Sequence, residues 1–181
     1  IMKKILVFIL LSFMTFSKDF TIIVKEDAIN KFLKAAGNFS DETEVDFKIT
    51  KYKFTWSIYD AKIDIGNDKS LFSAKIDIIS EGKTRKGSAE GIALFKFNGS
   101  TQKLNINIKD LKVRGLDIFN LVGFYEPKYD LPIKIMRDED IEINRGKDGK
   151  ILLTPDLVNE SVKAQKGELL IEADIKFIEK K

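Results

Sequence analysis

The chain has 181 residues, 31 Lys+Arg against 28 Asp+Glu, 44% hydrophobic residues, and neither His nor Cys. These absences exclude a histidine-based catalytic triad, a thiolate nucleophile, a disulfide, an iron–sulfur cluster and most zinc or copper sites. A formal charge of +3 is too small to argue for a nucleic-acid partner.

Residues 1–17 read as a cleaved secretory signal peptide. Lys3 and Lys4 form the basic start, Ile5–Phe16 the apolar run, and Thr15 and Ser17 are small residues ahead of a cut before Lys18. A spanning helix needs about 20 apolar residues; Lys18 and Asp19 close this run too early, so no stable transmembrane anchor is expected. Without the leader, 29 basic residues face 28 acidic ones. The expected organisation is a leader over 1–17 and a single domain over 18–181, exported to the periplasm or secreted.

Phe20–Val24 is a short β-type run. Lys25–Ala36 then changes to helical spacing, with Ala28, Ile29, Phe32, Leu33 and Ala36 on one stripe. Glu26 and Asp27 favour the helix start, Gly37 is placed to end it, and Lys25 is a poor N-cap.

From Val45 the period is two. Val45, Phe47 and Ile49 alternate, then Tyr52, Phe54, Trp56 and Ile58 with opposite parity, then Ala61, Ile63 and Ile65 with the first parity again. Each parity change demands a bulge, bend or turn, because otherwise the apolar face would turn to water. Phe72, Ala74, Ile76 and Ile78 continue the pattern. Ala89, Gly91, Ala93, Phe95 and Phe97 follow, then Leu104, Ile106 and Ile108, then Leu111 and Val113. The polar stretches Gly66–Ser70, Glu81–Gly87 and Asn98–Gln102 read as connections. Together these strands predict an antiparallel meander with one apolar face.

Farther on, Ile118–Phe124 is expected to be a short helix, Leu131–Met136 and Ile141–Asn144 strands, and Arg145–Lys150 a turn. Thr154-Pro155 has the form of a helix start, with Leu157, Val158 and Val162 on its apolar side. Leu169, Ile171, Ala173, Ile175 and Phe177 give a strict final strand.

No phosphate-binding loop, dinucleotide fingerprint or nucleophile elbow is present. No catalytic residue, cofactor or metal site is expected. Asn67-Asp68 and Asp148-Gly149 read as turns rather than calcium loops. Asp138, Glu139, Asp140 and Glu142 form the densest acidic group; a carboxylate-based hydrolase would need two of them flanking a cleft. Lys83, Arg85 and Lys86 share one expected loop and read as a solvated tip.

The strand faces carry more weight. Phe54, Trp56, Ile58, Phe72, Ile76, Phe95 and Phe97 are expected to point inward, with Ile29, Phe32 and Leu33 facing them from the helix. A 12-residue helix is ~18 Å long, too short to cover strands of that length. An uncovered apolar face is filled by another helix, a ligand or a partner. These ten residues are therefore the candidate lining of a site for a lipid or other hydrophobic small molecule.

The order of short strand, amphipathic helix and long bent strands resembles the small YceB-like members of the tubular lipid-binding (TULIP) group. The matching stretch is Phe20–Gly37 followed by the meander from Val45 to Val113, carried by Ile29, Phe32 and Leu33 on the helix and Phe54, Trp56 and Ile58 on the first long strand. YceB-like proteins are typically lipoproteins, and this chain has no cysteine to acylate. The resemblance implies a curved sheet wrapped around the helix, with an interior able to take a lipid. The expected class is thus α+β, a long, bent antiparallel β-meander wrapped around an N-terminal amphipathic helix. The expected function is non-enzymatic binding or shuttling of a lipid-like ligand in the cell envelope. The alternative is a structural or protein-interaction module of the envelope with a packed core.

Overall fold

The structure, a computed structural model, describes residues 18–47, 50–115, 126–135, 140–144 and 150–180. Strand β1 (Phe20–Lys25) leads into helix α1 (Glu26–Ala36). Then come β2 (Phe39–Phe47), β3 (Thr50–Asp64), β4 (Ser70–Ser80), β5 (Lys83–Asn98), β6 (Lys103–Arg114), β7 (Lys128–Pro132), β8 (Ile141–Asn144), β9 (Lys150–Gln165) and β10 (Glu168–Lys180). They form two antiparallel sheets, one of six strands in the order β2-β3-β4-β5-β6-β7 and one of four in the order β1-β10-β9-β8. Both sheets curl like half-barrels.

The core is built between sheet faces. Trp56, Ile58, Phe72, Ile76, Leu104 and Ile106 on the large sheet share one cluster with Leu157, Leu169, Ile171 and Ala173 on the small one. Helix α1 packs on β1 and β3. It buries Ile29 and Leu33, a contribution of about 1.5–3 kcal/mol each. Ala28 and Ala36 stay exposed, so the stripe is narrower than expected. Among the described residues the chain is mostly antiparallel β with one helix on its flank, not a meander wrapped around that helix. The reason is that the small sheet occupies the space the helix was expected to fill.

The poor helix cap is corrected from outside. The Glu26 N–H donates to the Gly167 carbonyl at 3.0 Å, and Gly167 N–H donates to the Ile65 carbonyl at 2.8 Å. The Glu26 carboxylate accepts the Ile65 N–H at 2.8 Å. The β9–β10 turn, the helix start and the end of β3 are thereby joined. At the other helix end Gly37 takes φ +78°, a conformation that costs glycine little.

Both expected parity changes have a structural cause. The first is the β2–β3 hairpin, in which Phe47 pairs with Thr50. The second is a bulge in β3. Tyr59 pairs with Lys75 and Lys62 with Ser73, so Asp60 and Ala61 together oppose Ala74. Two further bulges have the same form. Asp110 and Leu111 oppose Gly91, and Asn159 and Glu160 oppose Ala173. In each, the first extra residue is Asp or Asn with positive φ: 54° at Asp60, 52° at Asp110 and 55° at Asn159. These side chains tolerate that region better than most. In each, the residue opposite is Ala or Gly.

The third bulge explains a misreading. The expected helix from Thr154-Pro155 is part of strand β9. The shift of parity at Asn159–Glu160 spaces Leu157 and Val162 in a way that imitates a helical stripe. Within that strand Pro155 pairs with Phe177 of β10, and the described pairing of β8 with β9 reaches Leu153. Three smaller corrections follow. The Glu81–Gly87 connection is a two-residue turn, with β5 starting at Lys83. The strand expected over Leu131–Met136 begins earlier and ends at Pro132. Strand β2 starts at Phe39; its polar SDETE run hid it from a hydrophobic pattern. The expected leader, the helix over Ile118–Phe124 and most of the Arg145–Lys150 turn lie outside the described residues.

Candidate functional site

The ten residues expected to line a ligand site do come together. Ile29, Leu33, Phe54, Trp56, Ile58, Phe72, Ile76 and Phe97 are buried in one cluster, with Phe32 and Phe95 packed against it half-buried. They touch one another as core side chains: Trp56, Phe72 and Ile76 are each at most 1% exposed. Trp56 also stacks on Phe39 at 5.9 Å and donates its indole N–H to Thr43 Oγ1 at 2.9 Å.

Open space lies beside this cluster, where helix α1 meets the β3 bulge. A groove of about 650 Å³ is lined by α1, by Gly37 and Asn38, by Asp60, Ala61 and Lys62 of the bulge, and by Ser73, Ala74 and Lys75 of β4. Of the ten expected residues only Leu33 lines it. The space has a local cause. At the bulge two residues face Ala74, and the second of them, Ala61, has too small a side chain to fill the gap. Helix and bulge are held apart by a fixed bridge: Asn30 donates to the Ile63 carbonyl at 2.9 Å and accepts the Ile63 N–H at 2.8 Å. Asn30 therefore satisfies the β3 backbone as another strand would.

The floor is apolar, with Leu33 and Ala74 buried. The rim is charged. Lys31 pairs with Asp27 at 2.6 Å and Lys75 with Asp60 at 2.6 Å. The hydrogen bond and charge of Lys75 hold the Asp60 carboxyl below its ordinary range, and the charges of Lys62 and Lys34 lower it further. The same contact with Asp60 raises Lys75. Tyr59 donates to Asp77 at 2.9 Å, which raises its phenol, with burial adding to the effect. Four lysines and two aspartates thus line one groove.

Sequence reasoning missed Asn30, Lys34, Asp60, Ala61, Lys62, Ala74 and Lys75 as site residues. One signal was available: the parity break between Ile58 and Ala61 falls where two inward positions, 61 and 74, carry alanine.

The other candidates have ordinary settings. Lys83, Arg85 and Lys86 are exposed along β5 rather than at a loop tip. Asp140 accepts from Lys180 at 2.7 Å and from Thr154 at 2.6 Å, bonds that hold its carboxyl below its ordinary range. A general acid needs the opposite shift. Glu142 pairs with Lys150 at 2.6 Å, while Asp138 and Glu139 lie outside the described residues. A second depression of about 340 Å³ lies at the open end of β2–β4 and includes Glu42, Glu44, Lys53, Phe54 and Ser80. Among the described residues no cluster of acidic side chains could hold a metal ion, and no helix is long and apolar enough to cross a membrane. No protein-family model, no curated protein and no solved structure matches the chain.

Proposed function

We propose that this is an exported, non-enzymatic protein of the cell envelope that binds or shuttles a lipid-like amphiphile, held in the groove between α1 and the β3 bulge. One observation carries the reading. Beside a tightly filled core, the chain leaves about 650 Å³ open over a buried apolar floor with a charged rim. Small-molecule sites have volumes of about 300–1,000 Å³ and combine apolar walls with a few polar groups. The expected lipid site moves from the sheet interior, where Trp56 and Phe72 occupy the space, to this groove. The resemblance to the TULIP group agrees with the ligand class and has no part in the placement.

Native mass spectrometry of the protein purified from its own host tests the reading, together with titration of dodecanoate. Expected are a co-purifying amphiphile and saturable binding that Ala61→Leu removes while the fold is kept. Folded protein with no bound lipid and no affinity for dodecanoate would sink the proposal.

A specific observation favours a second reading, a protein-interaction module. On the small sheet Ile141, Ile143 and Phe177 are 45%, 40% and 53% exposed. Their pairing with Leu153, Ile151 and Pro155 puts all six on one face. An apolar sheet face of this kind is a docking surface when a partner covers it. Loss of partner capture on Phe177→Ser, with dodecanoate binding absent, would favour this reading over the first.

A further inference from the structure

The rim of the groove is unevenly charged, and the imbalance bears on the head group of the ligand. Asp27 and Asp60 are each engaged by one lysine, Lys31 and Lys75. Lys34 and Lys62 also line the groove, yet among the described residues they form no ion pair. The groove lining thus holds four ammonium groups against two carboxylates. The bulge is what brings Lys62 there. Without the extra residue at 60–61, position 62 would fall on the other face of β3. Lys34 reaches the same space from the last turn of α1, where a cation also suits the helix dipole.

We propose that the groove selects single-chain amphiphiles with an anionic head. The head, a carboxylate or phosphate monoester, pairs with Lys34 and Lys62, while the chain lies over Leu33, Ala61 and Ala74. This rests on the groove being the ligand site. A cationic head would be repelled by the surplus ammonium groups, and a small soluble anion would leave the apolar floor unused.

Isothermal titration of the whole protein tests it with five probes: dodecanoate, dodecyl phosphate, dodecyltrimethylammonium, decanol and inorganic phosphate. Dodecanoate and dodecyl phosphate are expected to bind and dodecyltrimethylammonium is not. The double variant Lys34→Gln/Lys62→Gln should weaken both anionic amphiphiles by about tenfold, the loss of two charge-assisted contacts at an exposed site, and leave decanol binding unchanged. Circular dichroism checks that the variant is folded; both lysines are exposed. If the anionic and cationic amphiphiles bind alike, or the lysine variant changes nothing while Ala61→Leu still abolishes binding, head-group selection is wrong and the groove stands. Inorganic phosphate binding as tightly as dodecyl phosphate overturns the amphiphile and leaves an anion site. No binding by any of the five removes both proposals.

Discussion

The bulge in β3 and the bulge in β6 are one backbone device with two outcomes. Both begin with an aspartate of positive φ, and both oppose a very small residue. In β6 the second bulge residue is Leu111, fully buried, and it fills the space beside Gly91. A side chain added at Gly91 would meet Ile108 Cγ2 at 2.8 Å and the Lys109 carbonyl at 2.9 Å. In β3 the second residue is Ala61, and the corresponding space is the groove. The β9 bulge takes a third course: Glu160 accepts the N–H of Gly99 at 2.9 Å and ties the β5–β6 turn to the small sheet. The backbone bends the sheet in all three, and the size and polarity of one side chain decide whether the bend becomes core, opening or tie.

Exchanging those side chains tests the comparison. Leu111→Ala should cause the largest loss, about 2–5 kcal/mol, since it removes buried volume where the surroundings collapse only in part. Urea unfolding measures it; a loss below 1 kcal/mol, about that of a surface change, would mean that Leu111 does not fill the bend. Gly91→Ala should cost about 1–3 kcal/mol through overpacking, read from the same unfolding midpoint. Asn30→Ala should cost about 1–3 kcal/mol because the amide and carbonyl of Ile63 lose their partner. It should also raise hydrogen exchange at Ile63 above that of Ile58. Ala61→Leu is the contrasting case. It should leave the unfolding midpoint near that of the parent chain and abolish dodecanoate binding, turning the β3 bend into a copy of the β6 one.

The smallest expected effect is a pH dependence at the β9 bulge. Asp174 accepts from Asn159 Nδ2 at 2.9 Å and from Lys18 Nζ at 3.0 Å. These contacts, with the Lys18 charge and the Asp19 backbone, hold its carboxyl below the ordinary 3.8. A carboxyl lowered by folding stabilises the native state above its unfolded value, and that contribution disappears as pH falls through the folded value. Stability should therefore decline below about pH 4. Asp174→Asn should flatten the decline by lowering the neutral-pH midpoint slightly while leaving the acid midpoint nearly unchanged; an acid limb of unchanged slope would show that the contact contributes nothing.

Much of the local structure was legible because period and burial are coupled. The switch from 3.6 to 2 after Gly37 separates α1 from the strands. The parity break at Ile58–Ala61 announces a bulge, bend or turn, and the structure places a bulge there. Strand β9 was misread because a bulge moves its apolar positions to helix-like spacing and Pro155 imitates a helix start. Strand β2 was hidden because most of its described side chains are polar and meet water.

The sequence by itself determined most of the buried positions of β3 to β6, since alternation records which side of the backbone faces water. It determined an antiparallel, strand-rich character, the amphipathic helix α1, and a chemistry without imidazole or thiol. Only the tertiary structure decided that Trp56, Phe72 and Ile76 fill the interior against a second sheet, and that the open space lies at the helix flank. Alternation is a property of one strand, whereas a cavity is a difference between the volumes that several strands bring to one place. Ala61, Ala74 and Leu33 are far apart in the chain, and their shared deficit of volume exists only once the bulge and the helix have met.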